Sequence, residues 1–125
     1  MRDVGAARAR ILALLPTIEP MLTRKAGLLS GGQQQLVAVA RGLIGVPKLL
    51  MIDELSLGLS PTAVRSISAA TVDSCRELGI AVLWVDQNLT ILARHCDRVV
   101  LLKDGVASDV DLSDRSSAAM NSVYF

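Results

Sequence analysis

The sequence predicts an α/β fold with a mostly parallel sheet flanked by helices. Three observations predict it. Two apolar runs of strand length, Leu49-Leu50-Met51-Ile52 and Ile80-Ala81-Val82-Leu83-Trp84-Val85, lack polar alternation, as strands buried on both faces do. The stretches beside them carry helix start and stop residues, and strands joined through helices lie parallel. Hydrophobic residues fill 51% of the 125 positions and charged residues 20%, which supports one small packed domain and excludes disorder as the main state.

Residues 4 to 15 place Val4, Ala7, Ile11, Leu12, Leu14 and Leu15 at roughly helical spacing, and Pro16 and Pro20 then break the pattern. Thr23-Arg24-Lys25-Ala26-Gly27 is basic and turn-like. A second helix begins near Ser30, runs through Gln35 to Ile44 and ends near Gly45 with Pro47 beyond; apolar on most sides, it should be well buried. The strand Leu49 to Ile52 ends in Asp53. Ser60-Pro61 supplies an N-cap and a first-turn proline for a helix reaching about Leu78, capped by Gly79. After the strand Ile80 to Val85, Asn88 caps a short helix through Arg94. Arg98 to Leu102 is a third strand, Lys103-Asp104-Gly105 a hairpin turn signal, and the residues from Ser113 onward form a weak helical pattern. A three-stranded parallel sheet has poorly protected edges, so this order suggests part of a larger fold or a chain completed by a partner.

Composition narrows the function. Aromatic residues are 2% of the chain, so the core is aliphatic. Mean hydropathy is high at +0.46, yet no apolar run approaches the ~18 residues that cross a bilayer. Thirteen basic against 12 acidic residues leave a net charge of +1, with no basic excess to hold a nucleic acid. Cys75 and Cys96 have neither metal-site nor disulfide-framework spacing, in keeping with a reducing compartment. Arg2, Asp3, Arg8 and Arg10 precede no long apolar stretch, so the start does not read as a signal peptide.

Three short segments carry the candidate chemistry. In Leu29-Ser30-Gly31-Gly32-Gln33, two glycines at a helix start expose backbone N–H groups, and the helix end favours an anion. The same residues also read as a capping box between Ser30 and Gln33, and the two readings are compatible. In Leu49-Leu50-Met51-Ile52-Asp53-Glu54, paired carboxylates follow a buried strand, at the edge where open α/β sheets bind ligands. One acid there can hold Mg²⁺ through water and its neighbour can take a proton from an attacking water; solvated strand-end acids are the plainer alternative. Val85-Asp86-Gln87-Asn88 places polar groups after the next strand, where a helix cap at Asn88 accounts for them equally well.

Taken in order, Leu29 to Gln33, the helix with Ala40-Arg41, and Pro47 to Glu54 closely resemble the nucleotide-binding subunits of ABC transporters. The first segment is similar to their signature sequence and the last to their Walker B strand. Ser56-Leu57-Gly58-Leu59-Ser60-Pro61 resembles the D-loop of branched-chain amino acid importers, and Val85 to Asn88 their switch region. The likeness runs from about residue 5 to the closing Ser122-Val123-Tyr124. It implies a partial P-loop NTPase core, with residues 1–28 the end of the helical subdomain and residues 29–125 running from the signature to the C-terminus. It further implies that Asp53 sits in the Mg²⁺ shell, that Glu54 is the catalytic base, and that Gln87 takes the switch position. Ser30, Gly31, Gly32 and Gln33 would meet ATP held by the opposite subunit. The implied partners are a second ATP-binding subunit and membrane-spanning permease subunits, which would hold the chain on the cytoplasmic face of the membrane.

The chain departs from that pattern in four places. No G-x-x-x-x-G-K-[ST] phosphate loop occurs in the 125 residues, so the expectation is a C-terminal half that needs its phosphate-loop half for activity. Leu55 replaces the usual Pro, leaving the Glu54 loop less fixed; Gln87 replaces His and cannot carry its proton; Ser60 replaces Asp in the D-loop. The alternative is a non-catalytic module that binds an intact ATPase subunit, or a fragment without independent function.

Overall fold

A computed structural model describes residues 4–113. The chain divides between Val85 and Asp86 into two compact units.

In the first unit, helix α1 spans Val4–Leu14, and the chain then tightens into a 3₁₀ turn over Pro16–Met21. Pro16 and Pro20 explain the change, because each lacks the N–H that would continue an α-helix. Helix α2 (Gly31–Leu43) buries only Leu36, Val39, Ala40 and Leu43. This i, i+3, i+4, i+7 stripe is narrower than its composition predicts: Ala38 and Gly42 read as apolar but stand exposed. The C-terminal half of α2 runs close to strand β1 (Leu49–Asp53), where a Cβ at Gly42 would lie 2.8 Å from Leu50 Cδ1. Helix α3 (Pro61–Leu78) packs on α2 and buries a stripe that includes Val64, Ile67, Thr71 and Cys75. Its ends are capped as predicted. Ser60 Oγ accepts from the Ala63 N–H at 3.2 Å, and Gly79 takes the left-handed conformation at φ 66°.

Strand β2 (Ala81–Val85) pairs with β1 in parallel, with Leu50 opposite Val82 and Ile52 opposite Trp84. On that face Ile52 and Trp84 are buried. The opposite face carries Leu49, Met51, Leu83 and Val85, and Met51 is 73% exposed. The sequence predicts strands covered on both sides; within the described residues only one side is covered.

The second unit opens with helix α4 (Leu89–His95), capped by Asn88, whose Oδ1 accepts from the Ile91 N–H at 3.1 Å. Strand β3 (Val100–Lys103) does not join the parallel pair as the third strand of the predicted sheet. It pairs antiparallel with β4 (Val106–Asp109), in register Lys103 to Val106. The turn suits the antiparallel pairing. Asp104 and Gly105 both have positive φ, at 51° and 79°, the two-residue geometry whose twist matches an antiparallel hairpin. Arg98 locks the open end with two bonds to the Asp109 carboxylate, Nε at 2.6 Å and Nη2 at 3.2 Å. The helical pattern after Ser113 and the closing Ser122-Val123-Tyr124 lie outside the described residues. No described helix is long and apolar enough to cross a membrane.

Candidate functional site

The start of α2 is built locally. Ser30 Oγ accepts from the Gln33 N–H at 3.4 Å, and Gln33 Oε1 accepts from the Ser30 N–H at 3.0 Å, so the predicted capping box is present. That exchange uses the Ser30 and Gln33 donors. The N–H groups of Gly31 and Gly32, the first two residues of the helix, have no partner in it, as the opening turn of any helix requires. Gly31 is exposed and Gly32 half-buried. Neither glycine is demanded by internal packing. A methyl at Gly31 would meet Leu59 Cδ2 at 3.5 Å, and one at Gly32 would meet Ile67 Cδ1 at 3.5 Å, both ordinary contacts. The loop before α2 is pinned by Gln34, whose Nε2 donates to the Ala26 carbonyl at 3.2 Å and to that of Leu29 at 3.1 Å. Composition gives no hint of this bracing role.

The same contacts seat the start of α2 against the Ser56–Pro61 segment through Leu59 and against α3 through Ile67. Two strings separated in sequence therefore share one surface.

Asp53 ends β1, exposed, opposite Val85. Glu54 follows, half-buried, and its N–H donates to the Val85 carbonyl at 2.8 Å. Its φ is 50°, a left-handed backbone unusual for a residue with a side chain. This turns the chain sharply after the strand and separates the direction of Glu54 from that of Asp53. Leu55 at the position of the usual Pro is 4% exposed, so its side chain anchors the loop in the core. A proline there would push residue 54 toward extended backbone; leucine is compatible with the left-handed turn. The loop is thus held by burial where the sequence suggests looser hold.

Gln87 stands exposed at the head of the second unit, beside Asp86, whose Oδ1 accepts from the Asn88 N–H at 3.0 Å. Of the predicted site residues, the first unit contains Ser30 to Gln33, Asp53 and Glu54. Cys75 and Cys96 are free thiols; burial pushes both pKa values up, and Asp97 adds to the rise at Cys96, so neither is poised as a nucleophile.

The first unit thus combines a parallel strand pair followed by two acids with a helix whose first two glycine N–H groups lie outside its capping box. Comparison with known proteins narrows the class. The ABC transporter family profile matches residues 6–56. The chain is 36% identical over 103 residues to the high-affinity branched-chain amino acid transport ATP-binding protein BraG of Pseudomonas aeruginosa, covering 82% of this chain and 44% of that one. It is 42% identical over 104 residues to the lipoprotein-releasing system ATP-binding protein LolD 2 of Caulobacter vibrioides, covering 83% and 45%. The ADP conformation of MJ1267, an ATP-binding cassette of an ABC transporter, superposes with a TM-score of 0.75 at 25% identity, over 97% of this chain and 50% of that one. The chain is similar to part of the ATP-binding domain of ABC transporters. It spans about half the length of the relatives it matches.

Proposed function

We propose that the chain is the signature-and-Walker-B portion of an ATP-hydrolysing subunit that drives an ABC importer. The observation that carries this reading is the bare start of α2. Gly31 and Gly32 leave their N–H groups unused by the capping box and are not required by packing. A γ-phosphate is the ligand that such a helix end favours.

In this reading Ser30, Gly31, Gly32 and Gln33 face the nucleotide of a second ATP-binding subunit. Asp53 is the carboxylate of the Mg²⁺ shell. Mg²⁺ bound with nucleotide takes one or two protein carboxylates and completes its shell with water and phosphate oxygens. The exposed Asp53 at a strand end fits that demand, and among the described residues no cluster of three metal-binding side chains offers an all-protein cage. Bound Mg²⁺ would supply charge neutralisation on the phosphates. Glu54 is assigned to orienting and deprotonating the attacking water, from a backbone turned away from the strand by its left-handed φ. Gln87 is assigned to the switch position; as an amide it can orient a phosphate or water but carries no proton. The 125 residues contain no phosphate loop, so phosphate capture on the same subunit falls to another segment.

The named relatives cover branched-chain amino acid transport, lipoprotein release and methionine import. The string Ser56 to Pro61 together with Gln87 favours a branched-chain amino acid or a related small polar solute, handled by permease subunits at the cytoplasmic face of the membrane. The deciding experiment joins this chain to the phosphate-loop half of a relative and compares it with its Glu54→Gln variant. Hydrolysis is expected to fall by about 10²–10⁴-fold while ATP-dependent dimerisation persists. Unchanged turnover would remove Glu54 from the base role.

A further inference from the structure

The peptide plane between Leu29 and Ser30 is held on both edges by consecutive glutamines. Its N–H, on Ser30, donates to Gln33 Oε1 at 3.0 Å. Its carbonyl, on Leu29, accepts from Gln34 Nε2 at 3.1 Å. Gln34 Nε2 also donates to the Ala26 carbonyl at 3.2 Å, which accepts from the Leu29 N–H at 3.1 Å as well. Two carbonyl partners fix which end of the Gln34 amide faces them, because only the NH₂ end can donate twice. The Leu29 side chain is buried and anchors the same plane from the core. Donors and acceptors all lie between Ala26 and Gln34, so this bracing does not turn on what covers the exposed surface.

Ser30 joins the loop to α2, so rotation of that plane would move its hydroxyl and swing the opening N–H groups of Gly31 and Gly32. The capping box holds only the N–H edge of the plane. The two glycines that follow have the widest backbone freedom of any residue and cannot hold the other edge. A donor aimed back at the loop is what the arrangement requires, and Gln34 supplies it. We propose that Gln34 is a positioning residue, which aims Ser30, Gly31 and Gly32 at the nucleotide of a second subunit without touching that nucleotide. The assignment rests on the reading of those three residues as a nucleotide-facing surface. Gln34 sets their direction before the nucleotide arrives, so less ordering remains to be done when the two subunits close.

The test joins the chain to the phosphate-loop half of a relative, in the Glu54→Gln background so that ATP-dependent dimers persist. Gln34→Met keeps the length of the side chain and removes both donors. Gln34→Glu keeps the shape but presents only acceptors to the two carbonyls. A carboxylate in the first turn stabilises a helix, so a loss in Gln34→Glu is not a loss of α2. Gln34→Arg keeps several donors. The protein concentration for half-dimerisation with ATP is expected to rise about tenfold in Gln34→Met and Gln34→Glu, and to change by less than about twofold in Gln34→Arg. Without nucleotide, the Ser30 amide should exchange faster in Gln34→Met and Gln34→Glu. The Ile44 amide at the far end of α2, bonded to the Ala40 carbonyl, should exchange as before. Unchanged Ser30 exchange would overturn the bracing, whatever ATP does. Faster exchange with unchanged dimerisation would overturn the aiming role. So would a Gln34→Arg variant as weak as Gln34→Met, because the donors would then not be the cause. Failure of the Glu54→Gln parent to dimerise with ATP would instead overturn the nucleotide-facing reading itself, and the Ser30 exchange tells that failure from a failure of Gln34.

Discussion

The two strand pairs of this chain are held by different means. The β1–β2 pair is parallel, its strands are separated by the whole of α3, and its stability comes from Ile52 and Trp84 buried on one face. The β3–β4 hairpin has no fully buried strand residue. It is held by a two-residue turn and by the Arg98–Asp109 pair at its open end. The difference teaches that the first pair depends on distant chain and the second on its own ends. Parallel pairing needs a crossover and cover; an antiparallel hairpin needs the right turn.

The strongest way to break this contrast is Trp84→Ala. Removing the largest buried side chain of the parallel pair should cost about 3–5 kcal/mol, read as an earlier unfolding midpoint in urea for signals from α2 and α3. Hairpin signals that fell equally would show that the two pairs share one source of stability. A smaller effect is expected from Gly105→Val. A β-branched residue at φ 79° should cost about 1–2 kcal/mol, seen as faster amide exchange across β3 and β4 with α3 unchanged. The smallest effect is acid titration of the hairpin. The Arg98 hydrogen bond, then its charge, holds Asp109 below the usual carboxylate range. With the folded pKa depressed, the stabilisation is complete above the unfolded value of about 3.9 and lost as pH falls through the folded value. Hairpin amide shifts should therefore move only below about pH 4, and Asp109→Asn should remove that transition. A titration unaltered in Asp109→Asn would assign it elsewhere.

Much of the fold was legible because helix ends are coded locally. Ser60-Pro61, Gly79 and Asn88 each cap the helix their residue types announce, since the partner N–H or carbonyl lies within a few residues. The capping box at Ser30 was legible for the same reason, and with it the two glycines whose donors it leaves unused. The turn at Asp104-Gly105 was readable, but the partner of β3 was not, because β4 is a short Val-Ala-Ser-Asp with no run of large apolar residues. The bracing by Gln34, the left-handed Glu54 and the burial of Leu55 left no sequence signal. Each depends on what the folded chain places opposite it.

By itself the sequence determined the α/β fold class, the order of the longer helices and of the first three strands, and the caps of those helices. Those features rest on periodicity, capping and spacing, which act over a few residues. Only the tertiary structure decided that Leu59 and Ile67 seat the bare glycine end of α2 and that one face of the parallel pair is covered. These are contacts between residues far apart in the chain, set by close packing of side chains rather than by any local preference.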